Sequence, residues 1–202
     1  KDAIVNKLFA GFAEPAKGQP VGEYVFGFNP NIKPRPYDPD QAKKLVAEAK
    51  AAGIPTDTTE LDLVWSKGRL PHIDEMGEAI ADSWNKVGLK IKMVYAEHNK
   101  WREAQRSVLP GQPRVALLVD PHSNEIGDSG QSIDGIARCG GQRSVYCNND
   151  LDPKMKQAAE AVGEQRVKLY QELWQALYDD AAHVPLFRLK PVYGLAKRLD
   201  FT

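Results

Sequence analysis

The chain has 202 residues and carries 27 Lys plus Arg against 27 Asp plus Glu, so no net field draws nucleic acid or an anionic membrane surface. A hydrophobic content of 42% and a charged content of 27% describe an ordinary globular chain, long enough for one domain and marginal for two. No apolar run approaches the ~20 residues of a membrane-spanning helix.

Residues 1–10 read as a short helix with Ile4, Val5, Leu8 and Phe9 on one stripe, ended by Gly11. Residues 12–37 are punctuated by proline and glycine and form a long irregular connection. Asp38-Pro39-Asp40-Gln41 then opens a helix, with Asp38 as N-cap, Pro39 at the first helical position and Gln41 completing a capping box. Its expected buried stripe is Ala42, Leu45, Val46 and Ala49, and Gly53 terminates it. Leu61, Leu63 and Trp65 alternate with polar neighbours as a strand. Met76, Ile80, Trp84 and Val87 recur at helical spacing across Ile73–Val87, and Gly88 stops that helix. Leu89, Ile91, Met93 and Tyr95 make the next strand, and a short helix follows near Lys100–Ser107. Val115–Val119 is a continuous apolar run that suits a strand covered on both faces.

Residues 120–149 are dominated by Gly, Ser, Asn and Asp and read as one long polar loop. Helices are expected over 152–162 and 164–182, with a last strand at Val184–Arg188. Strands alternating with helices argue an α/β layer structure, a small mixed sheet with packed helices, in a single domain over residues 1–202. The four tryptophans, Trp65, Trp84, Trp101 and Trp174, lie on apolar stripes or helix faces and are assigned to the core.

Asn149, Leu151, Asp152, Arg166, Tyr170, Leu173, Leu177 and Asp180, followed by Val184-Pro185-Leu186-Phe187, form one extended pattern. It resembles the C-terminal signature of the family 5 extracellular solute-binding proteins, the receptors of peptide, oligopeptide and nickel ABC importers. Tyr37-Asp38-Pro39 with Ala42, Lys43, Leu45 and a closing Ala52-Gly53 resembles a second landmark of that family, and the unit of the Ile73–Val87 helix, Gly88 and the strand of Leu89, Ile91, Met93 and Tyr95 a third. The resemblance implies the second lobe of a type II periplasmic-binding-protein fold. It implies a chain whose first lobe and signal peptide lie outside these residues, which suits a start at Lys1. It implies capture of a peptide or peptide-like solute between two lobes, delivery to an ABC permease, and a periplasmic or cell-surface lipoprotein location. No cofactor is implied.

Cys139 and Cys147 share one polar loop. In an oxidising compartment a local disulfide is favoured over a metal site, because the two thiols lack further ligands of usual spacing. The four histidines, His72, His98, His122 and His183, show no metal-ligand spacing, and no phosphate loop or nucleophile elbow is present. Asp179 and Asp180 point about 100° apart on a helix and cannot share a proton. No catalytic residue is assigned.

Ligand candidates lie beyond the Val115–Val119 strand, where open α/β sheets bind solutes. In peptide-binding members of the family an Asp of the equivalent loop pairs with the peptide ammonium group, and Asp120 or Asp128 takes that role here; loop capping is the alternative for each. Arg138 and Arg143, flanking the cysteine pair, can hold a carboxylate, with a surface salt bridge as the alternative. His122 completes the set, and His183 is read as complementing a helix end. Two rival functions remain: a solute-sensing module of the same fold, and a metal-dependent hydrolase built on Asp120, His122 and Asp128.

Overall fold

The computed structural model describes residues 1–106, 116–190, 192–194, 196 and 198. A wide helical turn at Ile4–Leu8 buries Val5 and leads into strand β1 (Ala13–Pro15). Helix α1 is Pro39–Ala51, strand β2 Glu60–Ser66, helix α2 Ile73–Asn85 and strand β3 Lys90–Ala96. Helix α3 (His98–Arg106) and strand β4 (Ala116–Leu118) follow. Ser107 and Val115, placed by sequence in these last two elements, lie outside the described residues. Helices α4 (Ser129–Ile136), α5 (Asp152–Glu160) and α6 (Gly163–Asp179) then precede strand β5 (Phe187–Leu189).

The strands form two sheets. β3, β2 and β4 are parallel in that order, with Leu63 opposite Met93 on one side and Leu117 on the other. Parallel neighbours require crossovers, and α2 and α3 supply them. The central strand is the most covered: Leu63, Val64, Trp65 and Ser66 are buried. β1 pairs antiparallel with β5, joining opposite ends of the chain with Ala13 opposite Leu189.

Two apolar clusters hold the layers together. In the first, Ile73, Met76, Ile80 and Ala81 of α2 pack on Leu63 and Trp65 of β2. The Trp65 indole N–H donates to Asp74 Oδ1 at 3.1 Å, so this buried ring keeps its polar atom satisfied. In the second, α6 buries Leu169, Tyr170, Leu173, Trp174 and Leu177 against Ile133 and Ala137, Met155 and Ala158, and Val21, Val25 and Ile32. Each fully buried side chain of this size contributes roughly 1.5–3 kcal/mol by leaving water. The long irregular stretch is therefore part of the core. Its buried Gln19 and Asn29 exchange hydrogen bonds (2.7 and 3.1 Å), and Asn29 Nδ2 donates to the Gln171 carbonyl of α6 at 2.8 Å.

Three expectations are corrected. Helix α1 forms as its cap dictates, with the Gln41 N–H donating to Asp38 Oδ1 at 2.9 Å, yet it buries none of its residues and Leu45 is 54% exposed. The other three residues of that stripe, Ala42, Val46 and Ala49, are only half-buried. Residues 120–149 are not one loop, because α4 lies within them and buries Ser129, Ser132, Ile133 and Ile136. Its Ser129 Oγ accepts from the Trp174 indole at 3.0 Å, which ties α4 to the face of α6. The last strand is displaced to Phe187–Leu189, where pairing with β1 fixes its register. Trp101, flanked by Lys100 and Arg102 in sequence, is only 1% exposed and lies beneath the Arg69 guanidinium, 4.4 Å from its ring centre.

Candidate functional site

A cleft of about 440 Å³ opens between the sheet and the helical cluster, within the size range of small-ligand sites. Its apolar floor comes from Leu63, Met76, Ile80 and Leu117. Asp120 and His122, just past the C-terminal end of β4, enter one wall. Arg143 and Tyr146 enter from the α4–α5 loop, and His183 from the segment after α6. Glu14, Lys17, Glu23 and Arg188 also line it.

The loop bearing Arg143 is pinned at several points. Cys139 and Cys147 form a disulfide across it, as the sequence favours. The Arg143 amide donates to the Gly135 carbonyl at 2.9 Å, and the Ser144 hydroxyl donates to the Tyr146 carbonyl at 2.7 Å. A Cβ on Gly141 would lie 2.5 Å from the Asp134 carbonyl oxygen, so only glycine lets this turn press against the end of α4. The far end is held by Tyr146, whose hydroxyl donates to Asp180. Burial and that carboxylate push the Tyr146 phenol up to about 12, so it stays protonated as a donor.

The two cleft histidines are both neutral. Burial, with Arg143 and His183 adding to it, lowers His122 to about 4. His122 Nε2 lies 2.8 Å from Ser132 Oγ, which also accepts from Asn124 Nδ2 at 2.7 Å. Burial likewise lowers His183. His183 Nε2 donates to the Ile136 carbonyl at 3.0 Å, so it completes the C-terminal end of α4 rather than of its own preceding helix. Nδ1 of both rings is buried without a hydrogen-bond partner.

The sequence-selected residues separate into two groups. Asp120, His122 and Arg143 share the cleft wall. Asp120 is paired there with Arg69 at 3.4 Å. Asp128 and Arg138 face elsewhere. Asp128 caps α4, accepting from the Gly130 amide at 2.7 Å, and takes both arms of the Arg166 guanidinium at 2.9 and 3.0 Å. Arg138 pairs with Asp134 at 2.7 Å one turn away on the exposed side of α4. The metal set Asp120, His122 and Asp128 is thus not assembled, and among the described residues no cluster of three or more His, Cys, Asp or Glu converges. Arg69, Asn124, Ser132 and Tyr146 were not singled out from sequence. For the α4 group a signal existed, since Asp128-Ser129-Gly130-Gln131 repeats the Asp-x-x-Gln cap used to find α1.

No described helix is long and apolar enough to cross a membrane. Comparison with solved structures finds HbpA2 from Haemophilus parasuis, with a TM-score of 0.78 at 23% identity, covering 93% of this chain and 36% of that one. NikA from Brucella suis in complex with Fe(III)-EDTA gives a TM-score of 0.74 at 19% identity, covering 93% and 39%. The α/β architecture is therefore that of a lobe of the type II periplasmic-binding-protein fold. Among curated proteins, the chain is 26% identical to heme-binding protein A of Haemophilus influenzae, over 92% of its own length and 34% of the relative's. It is 26% identical to the dipeptide-binding protein of Escherichia coli, over 90% of its own length and 34% of the relative's. The chain thus spans about a third of the length of these relatives. The family model described as bacterial extracellular solute-binding proteins, family 5 middle, matches residues 1–109, and the chain belongs to that family.

Proposed function

We propose that residues 1–202 are the second lobe of a two-lobed receptor that takes up a peptide or peptide-like solute and hands it to an ABC permease. Family membership supports a capture role without chemical transformation. The peptide reading is favoured by the dipeptide-binding protein of Escherichia coli and di/tripeptide-binding protein 1 of Pseudomonas aeruginosa, each 26% identical to this chain. The observation that carries the proposal is the cleft itself, an apolar floor with polar groups at the end of β4, on a chain about a third as long as its relatives. In this reading Asp120, His122 and Arg143 meet the solute. Asp128 and Arg138 act at one remove, by holding α4 in place. The remaining wall comes from a first lobe outside these residues, and hinge closure buries the solute. The Cys139–Cys147 disulfide supports a periplasmic or cell-surface location, where such bonds persist.

Mass spectrometry of solutes that co-purify with the complete receptor tests the proposal directly. Short peptides are the expected cargo, and recovery of a non-peptide solute alone refutes the peptide assignment. One lobe supplies too little buried surface for tight binding, so calorimetry on residues 1–202 alone is expected to give weak binding or none. Tight binding by this segment contradicts the two-lobed arrangement.

A further inference from the structure

The floor of the cleft is built from two apolar rows that meet at an angle between helix and sheet. Met76, Ile80 and Trp84 recur every four residues of α2 and so form one stripe. That stripe packs on Leu63 and Trp65 of the central strand β2. The sheet runs β3, β2, β4, so β4 is an edge strand. Its Leu117 stands opposite Leu63 and shares that face, as does Val119 two residues on. Leu117, Val119 and Trp84 are only half-buried, and all three line the cleft beside Leu63, Met76 and Ile80. None of the six carries a charge, and only the Trp84 indole N–H can donate a hydrogen bond.

The charges of the cleft stand apart from this floor and hold one another. Glu14 is paired with Arg188 across β1 and β5, Glu23 with Lys17 at 2.6 Å, and Asp120 with Arg69 past the end of β4. Water that enters between α2 and β4 therefore finds few polar partners, is held weakly, and is displaced with gain by an apolar group. The cleft measures about 440 Å³, the size of a small-ligand site, and the floor is continuous with the polar wall assigned to the solute. The occupant that fits is a part of that same solute and not a second protein.

We infer that the floor between α2 and β4 is a side-chain subsite for a bulky apolar group of the solute, with Met76, Ile80, Trp84 and Leu117 setting its size. This lobe then selects peptides with leucine-sized or larger apolar side chains over small or polar ones. The inference rests on the capture role proposed above and adds the class of side chain captured.

The test uses the complete receptor and three probes, tri-leucine, tri-alanine and tri-asparagine, titrated calorimetrically at several temperatures. Asparagine has nearly the shape of leucine, so the third probe separates polarity from size. Each methylene removed from water is worth roughly fourfold in affinity, so tri-leucine is expected to bind about 10- to 100-fold more tightly than tri-alanine. Tri-asparagine is expected to bind no more tightly than tri-alanine, and the heat-capacity change to be most negative for tri-leucine. Leu117→Phe fills the subsite from the edge strand and is expected to cut the ratio of tri-leucine to tri-alanine affinity by roughly tenfold. A variant that merely loses folded protein leaves that ratio unchanged. Equal affinities for the three probes, as a floor covered by another part of the receptor gives, overturn the inference while leaving peptide capture intact. Tri-asparagine binding as tightly as tri-leucine, or an undiminished ratio in Leu117→Phe, overturns it too. If no probe binds, the peptide assignment falls. The co-purifying solute then decides the inference separately: one with a bulky apolar group, lost from Leu117→Phe, sustains it, and a wholly polar one overturns it.

Discussion

Acidification should destabilise this protein through His122 before its carboxylates protonate. The folded chain holds His122 near 4, against 6.5 for an unperturbed imidazole, chiefly because the ring is buried. Arg143 and His183 oppose its protonation and Glu125 favours it weakly; the remaining neighbours, Ser132 and Asn124, do not titrate. A histidine with a depressed folded pKa contributes no pH dependence above its unfolded value. As pH falls through 6.5 the unfolded chain takes up a proton that the folded chain refuses, and stability drops until the folded ring also protonates near 4. The full loss is about 3 kcal/mol, and about 2 kcal/mol is already gone at pH 5. For a domain of this size that lowers the thermal midpoint by roughly 4–8 °C. Burial lowers His183 too, which adds to the loss in the same direction. Exposed carboxylates such as Glu125 and Glu172 lie below their usual range and lose their contributions only at lower pH, so the upper part of the window belongs to the histidines. Urea unfolding at pH 7.5 and pH 5.0, for wild type and His122→Gln, measures the effect. The variant is expected to lose most of His122's share of the slope and to retain the part due to His183. A wild-type stability that is flat between these pH values, or an undiminished slope in His122→Gln, refutes the reasoning.

Two further perturbations separate structural roles. Asp128→Ala removes the α4 cap and leaves Arg166 without its two-armed partner, so it should cost about 2–4 kcal/mol in urea unfolding; Asp128→Asn keeps the capping oxygen and should cost less. Leu173→Ala, at a side chain with no exposed surface, should cost about 2–5 kcal/mol, whereas Leu45→Ala on the uncovered face of α1 should change stability by under ~0.5 kcal/mol. Equal losses at the two leucines would mean that α1 packs against the core.

Local signals predicted the elements and failed where packing partners decide the outcome. Helix α1 was legible to the residue at its N-terminus because the Asp38 cap and Pro39 act within one turn. Its apolar stripe was equally legible, but periodicity reports only that a face is apolar and not what covers it. Helix α4 was missed for the opposite reason. Two of its buried positions are Ser129 and Ser132, and polar residues at core positions hide the period that hydrophobic counting detects. They are tolerated there because the Trp174 indole, His122 and Asn124 satisfy their hydroxyls, contacts invisible to a local pattern. The disulfide was legible because both cysteines stand among polar neighbours in one loop.

The site was less legible than the fold, and Arg138 and Arg143 show why. Both are arginines of one loop region, five positions apart, and composition treats them alike. Arg138 stands four residues after Asp134 on a helical path and closes a local ion pair that, being exposed, contributes little. Arg143 follows the tight Gly140-Gly141 turn, which carries it off the helix surface and into the cleft. The same division separates the two aspartates. Asp128 meets Arg166, 38 residues away, and becomes a fastening of α4 to α6, while Asp120 reaches the cleft but meets Arg69. A charged side chain becomes a recognition group only when folding leaves its charge unneutralised inside a cavity. That condition depends on partners distant in sequence, so it is a property of the folded arrangement and not of any one residue or motif. By that condition Arg143, which enters the cleft and makes no ion pair among the described residues, separates from Asp120, Asp128 and Arg138.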